Sequence, residues 1–134
     1  METKNLNKSV RFPLKYLFFL LVILIALFSV LPVFKSSFTG TTGNLLSRGY
    51  ISHTVTFALA AGCGMLAYRG RFRWLLGAIL VCYGVVLEFI QYFLPCRTYN
   101  PQDILANIIG IGLVMFLFGL ANLWSRFFLP HMNR

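Results

Sequence analysis

Five polar side chains interrupt otherwise apolar sequence at spacings that suggest one shared site: His53, Glu88, Gln91, Asp103 and Asn107. Glu88 and Gln91 are three residues apart, so on a helix they would lie on one face. The four-residue spacing of Asp103 and Asn107 has the same consequence. Carboxylates close to an imidazole can transfer protons, hold a cation or orient a polar ligand. We therefore treat these five residues as candidate site residues.

Four long windows of almost uncharged sequence predict the elements that carry this site. They lie between Lys15 and Lys35, Arg48 and Arg69, Arg73 and Arg97, and Asp103 and Arg126, and contain 19, 20, 23 and 22 residues. As helices they would be about 29 to 35 Å long, which matches a hydrocarbon core of about 30 Å. The windows lack the apolar-polar alternation of barrel strands. The sequence thus predicts an all-α polytopic membrane protein with four transmembrane helices.

Composition and charge support the same class of protein. Of the 134 residues, 58% are hydrophobic and 11% are charged, which argues against an ordinary water-soluble domain. The formal charge is +9. Nine of the 12 basic residues lie at window ends or termini that would share one side of the membrane. Because cationic flanks stay on the cytoplasmic side during insertion, this bias predicts cytoplasmic N and C termini. The basic residues are thus explained by the orientation of the helices in the membrane, and we expect no nucleic-acid partner.

These boundaries divide the chain into a basic cytoplasmic leader at 1–15, a membrane domain at 16–126 and a cytoplasmic tail at 127–134. Small residues are concentrated in the second window: Ala58, Ala60, Ala61, Gly62, Gly64 and Ala67. They predict that the second helix packs closely against its neighbours at the centre of the bundle. In the fourth window, Ala106 and Gly110 repeat the small-xxx-small spacing of close helix pairs.

The predicted orientation places the five site residues near the outer ends of their helices. A carboxylate near the centre of a membrane helix is penalised by about 2.5 to 3.5 kcal/mol, so Glu88 needs a partner or a wet cavity. Glu88 lies seven positions before Pro95, which predicts a depth of about 10 Å below the helix end. Arg97 is the nearest candidate counter-ion, and its planar guanidinium could alternatively hold two phosphate oxygens.

The polar residues of the third and fourth windows resemble a family pattern. Glu88, Gln91, Pro95 and Arg97, followed by Asp103, Asn107 and Gly110, resemble the E-x-x-Q-x-x-x-P-x-R and D-x-x-x-N-x-x-G motifs of VanZ-like membrane proteins. His53 matches the upstream histidine of that family. The resemblance covers about half of the chain. Family members often have an Asp-Lys pair shortly before the histidine, whereas residues 48–52 contain no acid here.

The resemblance implies a multi-pass protein of the bacterial inner (cytoplasmic) membrane that acts in cell-envelope physiology or low-level resistance to the glycopeptide teicoplanin. It implies membrane lipids and a lipid-linked, phosphate-bearing envelope precursor as partners. Arg97 would contact the phosphate, and the remaining ligand-binding residues would be Gln91, Asn107, Glu88, Asp103 and His53. We expect no cofactor.

Other interpretations of the same residues stay open. A membrane enzyme could use Glu88 and Asp103 as general acid and base on a lipid-linked substrate, with His53 as a relay. A purely structural site would pair Glu88 with Arg97 and use Asp103 to cap the fourth helix. One imidazole and two carboxylates could also bind a metal, although their spacing is not diagnostic and the sequence assigns no metal to them. Transport would require an oligomer, because four helices enclose little space.

Overall fold

Four long α-helices make up the part of the chain that the computed structural model describes, which comprises residues 2–30, 48–94 and 100–128. They are α1 (Glu2–Val30), α2 (Arg48–Ala67), α3 (Arg71–Tyr92) and α4 (Pro101–Phe128). Each contains a stretch long and apolar enough to cross a membrane, of 21, 19, 22 and 24 residues in chain order. The described segments are thus all-helical, and the four apolar helices indicate a multi-pass membrane protein.

Helix α1 begins earlier than the first apolar window. It is continuous from Glu2, contains Pro13, and includes most of the segment that the sequence assigns to a basic leader. Its candidate membrane span is Val10–Val30. The charge pattern marks where the chain becomes apolar enough to enter a membrane. It does not mark where the helix starts, because lysine and arginine are themselves good helix formers.

The helices run up and down in alternation, as side-chain contacts at one end of the bundle show. The Lys15 ammonium lies 5.2 Å from the centre of the Tyr68 ring, which joins the first half of α1 to the end of α2. The Arg73 guanidinium lies 6.0 Å from the centre of the Phe118 ring, so the start of α3 lies beside the second half of α4. At the opposite end, α1 and α3 finish while α2 and α4 begin. We call this opposite end the site end.

A short turn connects α2 to α3. The backbone N–H of Tyr68 donates to the carbonyl of Gly64 at 3.0 Å, which extends the last helical bonding of α2. Gly70 then adopts a φ of +64°, in the left-handed region that side chains with a Cβ rarely occupy. This conformation lets the chain reverse within three residues and begin α3 at Arg71. The two helices therefore lie side by side as a hairpin.

Helix α2 packs against each of the other three helices, and most extensively against α4. Ala60 and Ala61 are fully buried along α2, as is Ile111 on α4. Gly110 of α4 lies so close to the Thr54 carbonyl of α2 that a Cβ at this position would collide with the oxygen. Small side chains let membrane helices approach this closely, so the predicted central position of α2 agrees with the observed packing.

Candidate functional site

The five candidate residues of the described helices all lie at the site end. His53 is in the second turn of α2, Glu88 and Gln91 are in the last two turns of α3, and Asp103 and Asn107 are in the first two turns of α4. The helix ends at Tyr92, so Glu88 lies only about 6 Å from the end of α3 along its axis. That depth is less than the distance predicted from Pro95.

His53 links α2 to α4 through both ring nitrogens. Nδ1 lies 3.2 Å from the side-chain oxygen Oδ1 of Asn107, which is within hydrogen-bond distance. Nε2 faces the carboxylate of Asp103, with 4.0 Å between Nε2 and Oδ2. Because the amide oxygen of Asn107 can only accept, Nδ1 donates this hydrogen bond and Nε2 is directed toward Asp103.

Glu88 completes a group of three ionisable side chains from three different helices. Glu88 is 1% exposed, whereas the side chains of His53 and Asp103 are 24% and 17% exposed. One ligating atom from each residue can be chosen so that all three atoms lie within 4.8 Å of one another. The group thus combines a deeply buried carboxylate with a second carboxylate and an imidazole that are nearer the surface.

Asn100, not Asp103, caps the start of α4. The Asn100 side-chain oxygen accepts from the backbone N–H of Gln102 at 3.2 Å, while Pro101 occupies the first helical position. Asp103 lies three residues after the cap, and its carboxylate accepts from the Asn100 side-chain amide at 3.3 Å. The expectation that Asp103 itself caps this helix is therefore wrong. Asn100 performs that role and orients the Asp103 carboxylate.

Gln91 joins the site to α1. Its side-chain amide donates to the backbone carbonyl of Ser29 at 3.2 Å, and both residues are buried. One N–H of the same amide remains for another acceptor, because a primary amide has two donors. Since Gln91 follows Glu88 by three residues on α3, the two side chains point into the same region. All four helices thus contribute to the site end.

A cavity of about 500 Å³ opens between α1 and α2 beside this site. Its α1 wall is mostly apolar and consists of Leu21, Leu24, Ile25 and Phe28, with Ser29 at the end of the helix. Ser52, His53 and Thr56 of α2 line the opposite wall together with Phe57, and Gln91 of α3 contributes as well. The hydroxyls of Ser52 and Thr56 donate to carbonyls of the preceding helical turn. The cavity therefore combines a long apolar wall with polar groups near the site end.

Gly84 allows α3 to approach the site residues closely. A Cβ at Gly84 would lie 3.0 Å from the Asn107 amide nitrogen and 3.2 Å from the Phe57 ring. The sequence does not predict a role at the site for Gly84, Phe57, Ser29 or Asn100. Of these, only Asn100 had a recognisable signal, because asparagine directly before a proline is a common start of a helix. The others contribute through packing or a backbone carbonyl, which has no sequence signature.

Arg97, the predicted counter-ion and phosphate ligand, lies outside the described residues. The described residues indicate a class of protein: a multi-pass membrane protein with four helices long and apolar enough to span a bilayer and a polar cluster at one end of the bundle. No family model matches the chain, and comparisons with curated proteins and with solved structures likewise found no significant match.

Proposed function

We propose that this chain is a VanZ-like protein of the bacterial cytoplasmic membrane that binds a lipid-linked, phosphate-bearing component of the cell envelope at the outer face. The observation that carries this proposal is the cavity between α1 and α2, which joins an apolar wall to the polar site end. A lipid-linked molecule has the matching division between an apolar chain and a polar headgroup. Cavities that bind small molecules commonly measure about 300 to 1,000 Å³, so the volume is suitable.

The apolar chain of the ligand would lie along Leu21, Leu24 and Phe28 of α1. Its headgroup would then reach Gln91 and His53, which border the same cavity. The free N–H of the Gln91 amide is a donor for a phosphate oxygen. This arrangement places the charged part of the ligand near the membrane surface and keeps its chain in an apolar environment.

Arg97 supplies the positive charge in this proposal. In sequence it belongs to the connection between α3 and α4, both of which reach the site end at their connected termini. A phosphate close to Glu88 and Asp103 would be repelled by two carboxylates unless a cation balanced them. Arginine suits that task because its guanidinium stays charged and can bind two phosphate oxygens at once.

Photolabelling with an isoprenoid monophosphate that carries a photoreactive group in its chain tests this function. We expect Arg97→Ala to lower labelling about tenfold, which corresponds to one lost charge-assisted contact of about 1.4 kcal/mol. Thr56→Trp should lower labelling as well, because the indole would fill the cavity that Thr56 lines. Labelling would be measured on purified protein in lipid nanodiscs.

Arg69→Ala is the matched control, since it removes the same charge at the opposite end of the bundle and should leave labelling unchanged. The corresponding isoprenoid alcohol is a second control, because it measures the labelling that does not depend on the phosphate group. Equal labelling by the phosphate and the alcohol, together with no effect of Arg97→Ala, would contradict the proposed function.

The physiological part of the proposal concerns the envelope and tolerance of teicoplanin. Lipid analysis of a deletion strain and an Arg97→Ala strain, combined with teicoplanin susceptibility, addresses it. We expect both strains to become more susceptible than the parent. Accumulation of a lipid-linked precursor in both strains would indicate that the protein acts on that precursor.

A second candidate function is catalytic, and the unequal burial of the two carboxylates favours it. Glu88 is fully buried while Asp103 is partly exposed, and His53 faces Asp103. Carboxylates in different environments can divide the roles of general acid and general base. Purified protein that forms no product from a panel of lipid-linked phosphates would eliminate this candidate and leave binding.

A further inference from the structure

The three ionisable residues at the site end have the composition of a metal-binding site. His53, Glu88 and Asp103 come from α2, α3 and α4, and their ligating atoms lie within 4.8 Å of one another. In a tetrahedral zinc site with bonds of about 2.1 Å, neighbouring ligand atoms are about 3.4 Å apart. The largest separation in the group therefore exceeds that value by no more than about 1.4 Å, which side-chain rotations can remove.

The orientation of His53 suits a metal ligand. Asn107, itself 3% exposed, accepts a hydrogen bond from Nδ1 and thereby leaves the lone pair on Nε2, which faces Asp103. Histidines that bind metals usually donate their other ring N–H to a fixed acceptor in this way, because the bond sets the tautomer and the ring orientation. The distance of 4.0 Å between Nε2 and Asp103 Oδ2 is too long for a direct hydrogen bond. It leaves room for an ion between the two groups.

The second carboxylate also has a partner that fixes its position. The side-chain amide of Asn100 donates to Oδ1 of Asp103, so the other oxygen, Oδ2, is the one that faces His53. Such hydrogen bonds to ligating carboxylates are typical of metal sites. Two of the three candidate ligands are therefore oriented by neutral amides that do not compete for a cation.

Charge and donor type identify the class of ion. Two carboxylates balance the charge of a divalent cation, which matters because an unbalanced charge is strongly disfavoured in apolar surroundings. One imidazole with two carboxylates suits zinc and similar transition metals better than calcium, which prefers oxygen ligands only. Three protein ligands leave the fourth position of a tetrahedral ion open to water or another ligand.

We propose that His53, Glu88 and Asp103 bind a divalent transition metal ion, with Zn²⁺ as the ion that best matches the donor set. Asn107 and Asn100 orient two of the ligands. The metal site stands on the geometry of the described residues alone. It does not depend on the phosphate-bearing ligand or on Arg97.

Zinc binding to the purified full-length protein tests the proposal. Protein stripped with a chelator would be dialysed against Zn²⁺ alone and its metal content measured by mass spectrometry. We expect one zinc ion per chain in the wild type. Glu88→Gln, which keeps the size of the side chain but removes its charge, and His53→Ala should each lower the affinity by more than the loss of about 10- to 100-fold that is typical of a residue that only orients a ligand.

His131→Ala is the matched control, because it removes the other histidine of the chain. This variant should bind zinc as the wild type does. Asn107→Ala should lower the affinity by about 10- to 100-fold without removing a ligand. The wild-type protein should also resist unfolding better with zinc than without it, which needs no variant.

Wild-type protein that binds no zinc after dialysis would overturn the proposal, as would equal zinc binding by the wild type and Glu88→Gln. Loss of zinc binding in His131→Ala would overturn it too, since the ion would then lie elsewhere. These results are distinct from failure of the proposed function, because labelling by the isoprenoid phosphate is measured separately and depends on Arg97.

Discussion

Replacing Gly110 with valine is expected to separate α2 from α4 and to destabilise the protein by about 3 kcal/mol or more. A Cβ at Gly110 would collide with the Thr54 carbonyl oxygen and would lie 3.2 Å from the Ala58 amide nitrogen. Both neighbours are backbone atoms of α2, so they cannot move away as a flexible side chain could. Overpacking of well-packed interiors usually destabilises by about 1 to 3 kcal/mol, and this position is tighter than most.

Gly112→Val is the matched control on the same helix. Among the described residues, no atom outside the adjoining backbone of α4 lies within 4 Å of a Cβ at Gly112, so the same substitution should have little effect on packing there. Reversible unfolding by SDS in mixed micelles measures both variants. Equal stability of Gly110→Val and Gly112→Val would contradict the close approach of α2 and α4. Because His53 and Asn107 lie on these two helices, Gly110→Val should weaken zinc binding as well.

Truncation of Phe57 to alanine should destabilise the protein by about 3 to 5 kcal/mol. Phe57 is 2% exposed and lies one turn below His53 on the same face of α2. Its ring packs against Gly84 of α3 and lines the cavity beside the site. Removing a buried ring leaves a void that rigid helices fill only in part, and losses of this size are typical of that change. The void would join the existing cavity and loosen the support of His53.

Leu59→Ala provides the comparison for this change. Leu59 is two residues further along α2 and 57% exposed, so its truncation removes no interhelical contact of comparable size. We expect a loss of less than about 0.5 kcal/mol in the same SDS unfolding assay. A loss in Phe57→Ala as small as that in Leu59→Ala would show that Phe57 does not fill the space between α2 and α3.

The number and approximate limits of the helices could be predicted because charged residues cannot remain inside a bilayer without compensation. Spacing between charges therefore records the length of each span. The start of α1 could not be predicted in the same way, since Lys4 and Lys8 are compatible with a helix that extends beyond the membrane and do not mark where the helix begins. The side of the membrane on which each terminus lies stays a prediction from the distribution of basic residues.

Convergence of the polar residues could be anticipated from depth, because His53, Glu88 and Asp103 lie near helix ends that antiparallel packing brings together. Which atoms meet could not be anticipated. The pairing of His53 with Asn107 depends on how far α2 and α4 are rotated about their axes. That rotation depends on close contacts such as Gly110 against Thr54, and such contacts are specified by the whole interface.

The hydrogen bond from Gln91 to the Ser29 carbonyl illustrates a second limit. A backbone carbonyl within a helix is usually bonded to the residue four positions later, but the last four carbonyls have no such partner. Ser29 is next to the last residue of α1, so its carbonyl is available to another helix. Prediction of this contact requires the residue at which α1 ends, and helix ends are the least predictable feature of a sequence.

Cross-linking between α2 and α4 in native membranes tests most directly whether polar side chains from separate spans share one site. Cysteines would replace His53 and Asn107 in a chain that lacks its own three cysteines, and a short bifunctional thiosulfonate reagent would then be added. We predict efficient cross-linking of this pair. The control pair replaces Ile51 and Leu105, which are exposed on the outward faces of the same helices and should not be joined within one chain. Efficient cross-linking of Ile51→Cys with Leu105→Cys, and none between positions 53 and 107, would contradict the account.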